Sequence, residues 1–242
     1  MRTNNKLILQ FVIFLLFLQF PFYNCEFNPD FKAFVHNRYG LPIVNQLERR
    51  DLGNDASTGG GQVVAQEAVV IVHGITNRIT RFNGIIEKLR SQGFQVFGTT
   101  WGDGGTTPAG LVELKCAYVK QIRSMIIAVR EYTNKKVDVI AYSMGSPLAR
   151  KAILGGICVD TRELLGPPLT EHIDTFLSYE GLNIFSIFST SDEKIGFKIC
   201  SRLVTPIIGE TGFVRREGLS HDQLMDNTLE TQMNFIYKHR PI

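Results

Sequence analysis

With 242 residues, 44% of them hydrophobic and 20% charged, the chain has the size of a single α/β domain. Its net charge is only +3, and acidic and basic residues are interspersed along it. No basic stripe of the kind that nucleic-acid binding requires is present, so that class is excluded.

From the amino terminus, Leu7 to Phe20 is almost uninterrupted apolar sequence behind Arg2 and Lys6, and Pro21 ends it. The run is shorter than the ~20 residues of a bilayer-spanning helix. Its charged and apolar regions match a secretory signal peptide better than the alternative, a membrane anchor. Residues 1–24 are therefore expected to be a cleaved leader and the protein to be secreted and extracellular, although the cleavage site around Tyr23 to Glu26 is poorly formed. Secretion permits disulfides. The four cysteines, Cys25, Cys116, Cys158 and Cys200, fit neither a CxxC redox pair nor a zinc cluster. Either Cys25 stays and two bridges form, or it leaves with the leader and one thiol is left over.

Residues 25–66 read as an N-terminal extension and loop, with a short surface-packing helix within Phe27 to Leu47 and a loop from Arg49 to Gln66 around Gly59-Gly60-Gly61. The main domain spans 67–242. Ala68 to Ile75 is a continuous apolar run, as in a parallel-sheet strand covered on both faces, and it contains His73-Gly74 near its end. Phe82 to Gln92 has helical spacing and stops at Gly93, and Phe94 to Trp101 alternates as a strand. Gly102-Asp103-Gly104-Gly105 then turns the chain. Leu114 to Tyr132 is a long amphipathic helix with Val119, Ile122, Ile126 and Val129 on one face. It leads into a strand at Val137 to Ala141. Alternating strands and helices predict an α/β fold, a mainly parallel central sheet with right-handed crossovers and helices on both faces.

That last strand stops at Ala141-Tyr142-Ser143-Met144-Gly145, and a helix-like run from Ser146 to Leu154 follows, ended by Gly155-Gly156. Small residues two before and two after a serine allow a sharp strand-to-helix turn that exposes the hydroxyl as a nucleophile. Ala141 stands where glycine is usual, and one methyl group still fits a tight elbow. The plain alternative is a serine N-cap in an ordinary loop. In an α/β-hydrolase arrangement the oxyanion of the intermediate is held by the amide after the nucleophile and by one from the loop after the earlier strand. Met144 and Ile75 are the expected donors. The alternative at His73-Gly74 is a glycine turn with an incidental histidine.

Val72-His73-Gly74, Trp101-Gly102-Asp103-Gly104-Gly105, Lys115 to Lys120 and Ala141 to Pro147, in that order, resemble the class 2 lipases, in particular secreted lipase-like proteins of nematodes. More distantly they resemble small bacterial lipases with Ala-x-Ser-x-Gly. The resemblance runs from about Phe27 to the C-terminus. It implies a minimal α/β-hydrolase fold and hydrolysis of acyl esters, typically lipids such as triacylglycerol, without cofactor or metal. In that fold the order is serine, acid, histidine, which excludes His36 and His73 as the base. His172 lies too early and His239 in the charged tail, whereas His221 lies where the family carries its catalytic histidine. Asp192, just past the strand Asn183 to Ser189, is the expected acid. Glu193 is the second candidate, a plain capping carboxylate is the alternative, and Asp222 reads as a helix cap.

One departure stands out. Ile173 to Tyr179 and Asn183 onward read as successive strands separated only by Glu180-Gly181-Leu182, although adjacent parallel strands call for a crossover of about a dozen residues. The resembling proteins carry a substantial insertion there, part of the cleft wall. Either a segment is missing or the strands pair otherwise, as an antiparallel hairpin that would displace Asp192 from His221. The main expectation is a secreted serine esterase or lipase with a lipid or other ester substrate and transient contact with a lipid interface. A catalytically impaired homologue that binds lipid or a protein partner is the alternative, and an acyltransferase using the same serine is a third.

Overall fold

The computed structural model describes residues 26–60, 67–177, 183–196, 198–199, 202–203 and 210–240. The expected leader, Cys25, Cys200 and the Glu180-Gly181-Leu182 connection lie outside them. In chain order the elements are α1 (Pro29–Tyr39), α2 (Leu41–Glu48), β1 (Ser57–Thr58), β2 (Ala68–Val72), α3 (Asn83–Ser91), β3 (Gln95–Thr99), α4 (Cys116–Thr133) and β4 (Val137–Ala141). There follow α5 (Gly145–Leu154), β5 (Ile173–Leu177), β6 (Asn183–Ser189), β7 (Lys198–Ile199), β8 (Arg202–Leu203), β9 (Gly212–Arg216), α6 (His221–Asp226) and α7 (Leu229–Lys238). No helix among the described residues is long and apolar enough to cross a membrane.

Seven strands form one sheet in the order β1-β3-β2-β4-β5-β6-β9. Only the two-residue edge strand β1 runs antiparallel to its neighbour. The expectation of a mainly parallel sheet with helices on both faces holds, and β2 shows why the sequence specifies it. All five of its residues are buried. Ala68, Val70 and Val72 join a core layer with α1, α2, α4 and α5, while Val69 and Ile71 face the opposite layer with α3 and α7. A strand alternates its side chains between faces, so a run with no polar residue is what two covered faces demand.

The N-terminal stretch departs from the expected single surface helix. It forms two, because Gly40, at φ 84°, ends the first and Pro42 stands in the first turn of the second. Phe31, Val35, Val44 and Leu47 are at most 1% exposed, within the same core layer as β2 and α4. Phe31 meets Phe97 and Tyr132 edge-on, at centroid distances of 4.8 and 5.1 Å. These aromatics are packing residues of the main core.

The short connection before β6 is also resolved differently. β5 and β6 pair in parallel, Thr175 against Asn183 and Phe176 against Ile184, so no antiparallel hairpin forms. The physical reason is the stagger. Asn183 stands level with Thr175, two residues short of the end of β5, so the two strands pair only where their ends overlap.

One disulfide is present among the described residues, Cys116–Cys158, and it ties the start of α4 to the loop after α5. It closes a loop across a sequence separation of 42, worth about 4 kcal/mol in the chain-entropy view. The double variant Cys116→Ala/Cys158→Ala is expected to lose roughly 2–4 kcal/mol in urea unfolding without loss of the sheet.

Candidate active site

Ser143 sits at the turn from β4 into α5 with φ 51°, left-handed backbone that a non-glycine residue adopts only under constraint. The constraint is visible in the neighbouring bonds. The Tyr142 amide donates to the Val72 carbonyl (3.0 Å), and the Gly145 and Ser146 amides donate to Tyr142 and Ser143 carbonyls (2.8 and 2.9 Å). The Ser146 hydroxyl closes the turn on the Ala141 carbonyl at 3.0 Å. A β-carbon at Gly145 would lie 2.3 Å from the His73 carbonyl oxygen and 2.8 Å from that of Val72. Both are backbone atoms of the strand next door and cannot step aside. Gly145→Ala is therefore expected to lower stability by roughly 1–3 kcal/mol, read from urea unfolding, and to reduce any turnover that depends on the elbow.

The loop after β2 is pressed against the same serine. A β-carbon at Gly74 would meet Ser143 Cβ and Tyr142 Cδ1 at 3.0 Å each, so the Gly74-Ile75 backbone passes directly beside the elbow. His73 holds it there and is no incidental histidine. Its Nδ1 lies 2.7 Å from the Gly74 carbonyl, and its Nε2 lies 2.9 Å from the Trp101 amide nitrogen. Nε2 must accept from that amide, so Nδ1 carries the proton and the ring is neutral. Burial drives its pKa down to about 4, consistent with that tautomer. The Trp101 ring stacks on it at 4.9 Å and 4°, and Trp101 Nε1–H donates to the His73 carbonyl at 2.8 Å. Further out, the carboxylate of Asp103 accepts from the Gly105, Thr106 and Thr107 amides and from the Thr107 hydroxyl, which tightens the turn and holds the carboxyl well below the usual range. Gly105 lets that turn approach the Thr76 carbonyl, where a β-carbon would stand 2.5 Å away.

Past β6, Asp192 and His221 meet across 29 residues of sequence, with Asp192 Oδ2 2.7 Å from His221 Nδ1. Both side chains are nearly buried, at 9% and 7% exposure. Asp192 Oδ1 accepts from the Lys194 and Ile195 amides (3.0 and 2.9 Å). Burial alone would raise this carboxyl, but those amides and the His221 ring outweigh it and hold it below its ordinary value. An ionised Asp192 fixes the proton of His221 on Nδ1 and leaves Nε2 free to accept one. Glu193 takes a different part: its Oε2 accepts from the backbone amide of His221 at 2.9 Å. Asp222 is not the helix cap expected of it. Ser220 and Gln223 form the capping box of α6, and Asp222 accepts from Lys194 Nζ at 2.8 Å and the Tyr142 hydroxyl at 3.2 Å. Tyr142 also donates to the His221 carbonyl at 2.9 Å and packs its ring 5.0 Å from the imidazole. Sequence reasoning misses this tyrosine, whose only signal is its place inside the elbow.

Ser143, Met144, Asp192 and His221 line one cavity of about 390 Å³, walled mainly by apolar side chains such as Leu177, Phe185, Ile187 and Leu224. Ile75 lies on the adjoining loop, next to Gly74. The other histidines are elsewhere: His172 closes a short 3-10 turn beside Glu171, and His239 caps α7 against Thr175.

The sequence matches the family model described as Lipase (class 2) over residues 66–184 and 178–234, two pieces that meet at the short connection before β6. Comparison with curated protein sequences returns no significant match. Among solved structures, Aspergillus fumigatus lipase B is similar at 12% identity, over 77% of this chain and 57% of that one, with a TM-score of 0.53. A thermophilic esterase of the Planctomycetes species Thermogutta terrifontis follows at 14% identity, 74% and 84% coverage and 0.50. The metagenome-derived lipolytic enzymes LipS and LipT give 15%, 76% and 98%, and 0.50. At such identities the likeness is one of fold, the α/β-hydrolase fold. A family match over most of the chain, on a fold shared with lipases and esterases, makes this protein a member of the class 2 lipase family.

Proposed function

We propose that this class 2 lipase is a secreted serine hydrolase that cleaves triacylglycerol, with Ser143 as nucleophile, His221 as general base and Asp192 as its orienting carboxylate. The observation that carries the reading is the 2.7 Å contact of Asp192 with His221 Nδ1, in the same cavity as the left-handed Ser143. In this mechanism His221 Nε2 takes the Ser143 proton as the hydroxyl oxygen attacks the ester carbonyl. The negative charge passes to the carbonyl oxygen, which the Ile75 and Met144 amides stabilise, each worth about 3 kcal/mol at the barrier. Collapse breaks the ester bond, and the alcohol leaves with the proton from His221. Water, deprotonated by the same imidazole, then releases the fatty acid. Asp192 stays ionised and stabilises the imidazolium.

Acyl chains suit the apolar walls of the cavity. Ile187, half-buried on β6, lines it. Ile187→Trp is expected to lower kcat/KM for p-nitrophenyl octanoate about tenfold or more while changing that for the acetate little. Equal losses on both esters would remove the acyl pocket from this position. Secretion is supported by the apolar leader and by the Cys116–Cys158 bridge, a bond at home in oxidising compartments.

A second reading, a homologue that binds lipid without turning it over, is favoured by the family match breaking in two at residues 178–184. A fluorophosphonate probe decides between them. Covalent labelling of Ser143, located by peptide mass, is the expected result. Folded protein that takes no label at Ser143 would be a binder.

A further inference from the structure

The described residues hold a second ionisable cluster, at the edge of the sheet away from Ser143. Glu67 precedes β2, Asp138 is the second residue of β4 and Asp174 the second of β5, three neighbouring strands at their amino-terminal ends. Asp138 is wholly buried. A bulge explains half of its bonding: Val137 pairs with Ile173 but Val139 pairs with Phe176, so two residues of β5 stand opposite Asp138. Asp138 Oδ1 accepts the amide of one of them, Thr175, at 3.0 Å. Its Oδ2 is buried and has no hydrogen-bond partner among the described residues. A buried carboxylate oxygen without a donor is costly and calls for a missing partner.

One carboxylate oxygen each from Glu67, Asp138 and Asp174 lies within 4.8 Å of the other two. Oxygens no more than 4.8 Å apart are close enough for one cation to bridge, and calcium, which binds oxygens at about 2.3–2.6 Å in flexible geometry, suits such an irregular set better than magnesium, which demands near-ideal octahedra at about 2.0–2.1 Å. An all-oxygen, anionic set suits a hard cation and not zinc or copper. From these residues the geometry points to a calcium-binding site formed by Glu67, Asp138 and Asp174 that clamps β2, β4 and β5 together. His239 of the α7 cap stands beside it, with Nε2 3.5 Å from Asp174 Oδ2, and Lys135 and Lys136 act on Glu67. Burial, then Glu67 and Asp174, hold the Asp138 carboxyl up at about 8.

The site does not depend on the hydrolase reading, and its test reads stability. Mature protein stripped with EDTA is titrated with calcium chloride by calorimetry and melted with calcium, magnesium or neither. The expected result is saturable uptake near one ion per chain, with Kd about 10⁻⁴–10⁻³ M, and a Tm rise of roughly 4–8 °C at 10 mM calcium. Magnesium has the smaller effect, and ester turnover at 25 °C is unchanged. Glu67→Gln and Asp174→Asn, both at half-buried positions, each lose the uptake and the Tm rise. Absence of saturable uptake by the unaltered protein would overturn the site, as would uptake that persists in both variants.

Discussion

Replacing Ser143 with alanine is expected to lower kcat on a soluble ester by about 10⁴-fold or more and to abolish fluorophosphonate labelling, with the fold intact. The size follows from the role: without the hydroxyl no acyl-enzyme forms, and what remains is whatever the two amides contribute to direct attack by water. The fold should survive because alanine and serine bear the φ of 51° about equally, neither being glycine. Ser146 is no substitute, since its hydroxyl already donates to the Ala141 carbonyl. Stopped-flow measurement with p-nitrophenyl butyrate, alongside circular dichroism, reads both halves. A folded Ser143→Ala protein that kept its rate would move the nucleophile elsewhere.

Asp192→Asn should cost nearly as much, about 10⁴-fold in kcat near neutral pH. The amide that replaces the carboxylate would present either a carbonyl, which lacks the charge that stabilises imidazolium, or an NH₂, which forces the His221 proton onto Nε2, where the base must be free. Glu193→Gln separates this from a general loss of negative charge. Glu193 accepts from the His221 backbone amide, and a Gln carbonyl oxygen can still accept that bond, so the loss should stay within about tenfold. The pH–rate profile adds a readout that mere loosening would not move. Asp192 is held below its ordinary carboxyl value, so it stays ionised well below neutral pH and activity that depends on its charge should persist there, to be lost in Asp192→Asn at every pH. Equal rates for Asp192→Asn and Glu193→Gln would refute the division of labour.

Much of this was legible from local signals. The all-apolar β2, the amphipathic α4 and the elbow at Ser143 each announce themselves within a dozen residues, because strand burial, helix periodicity and a tight turn are short-range properties. Asp192 and His221 follow from strand order and resemblance, and the fold brings them within 2.7 Å. What escaped was long-range. Nothing around Tyr142 says that its hydroxyl will reach His221 and Asp222, about 80 positions on. An aspartate amid the valines of β4 was a visible anomaly, but its neighbours Glu67 and Asp174 come from other strands. The stretch between Phe27 and Leu47 reads as surface because its burial depends on Phe97 and Tyr132.

The amino-acid order by itself determined the kind of layers and the position of the sharp turn, since each is a matter of side-chain type and spacing along a few turns of backbone. Only the tertiary structure decided which of two adjacent carboxylates holds the imidazole, that His73 is neutral and clasped by Trp101, that β5 and β6 pair in parallel, and that three carboxylates meet at the far end of the sheet. Those outcomes depend on register and stagger between strands, set by the packing of the whole core and written in no single stretch of the chain.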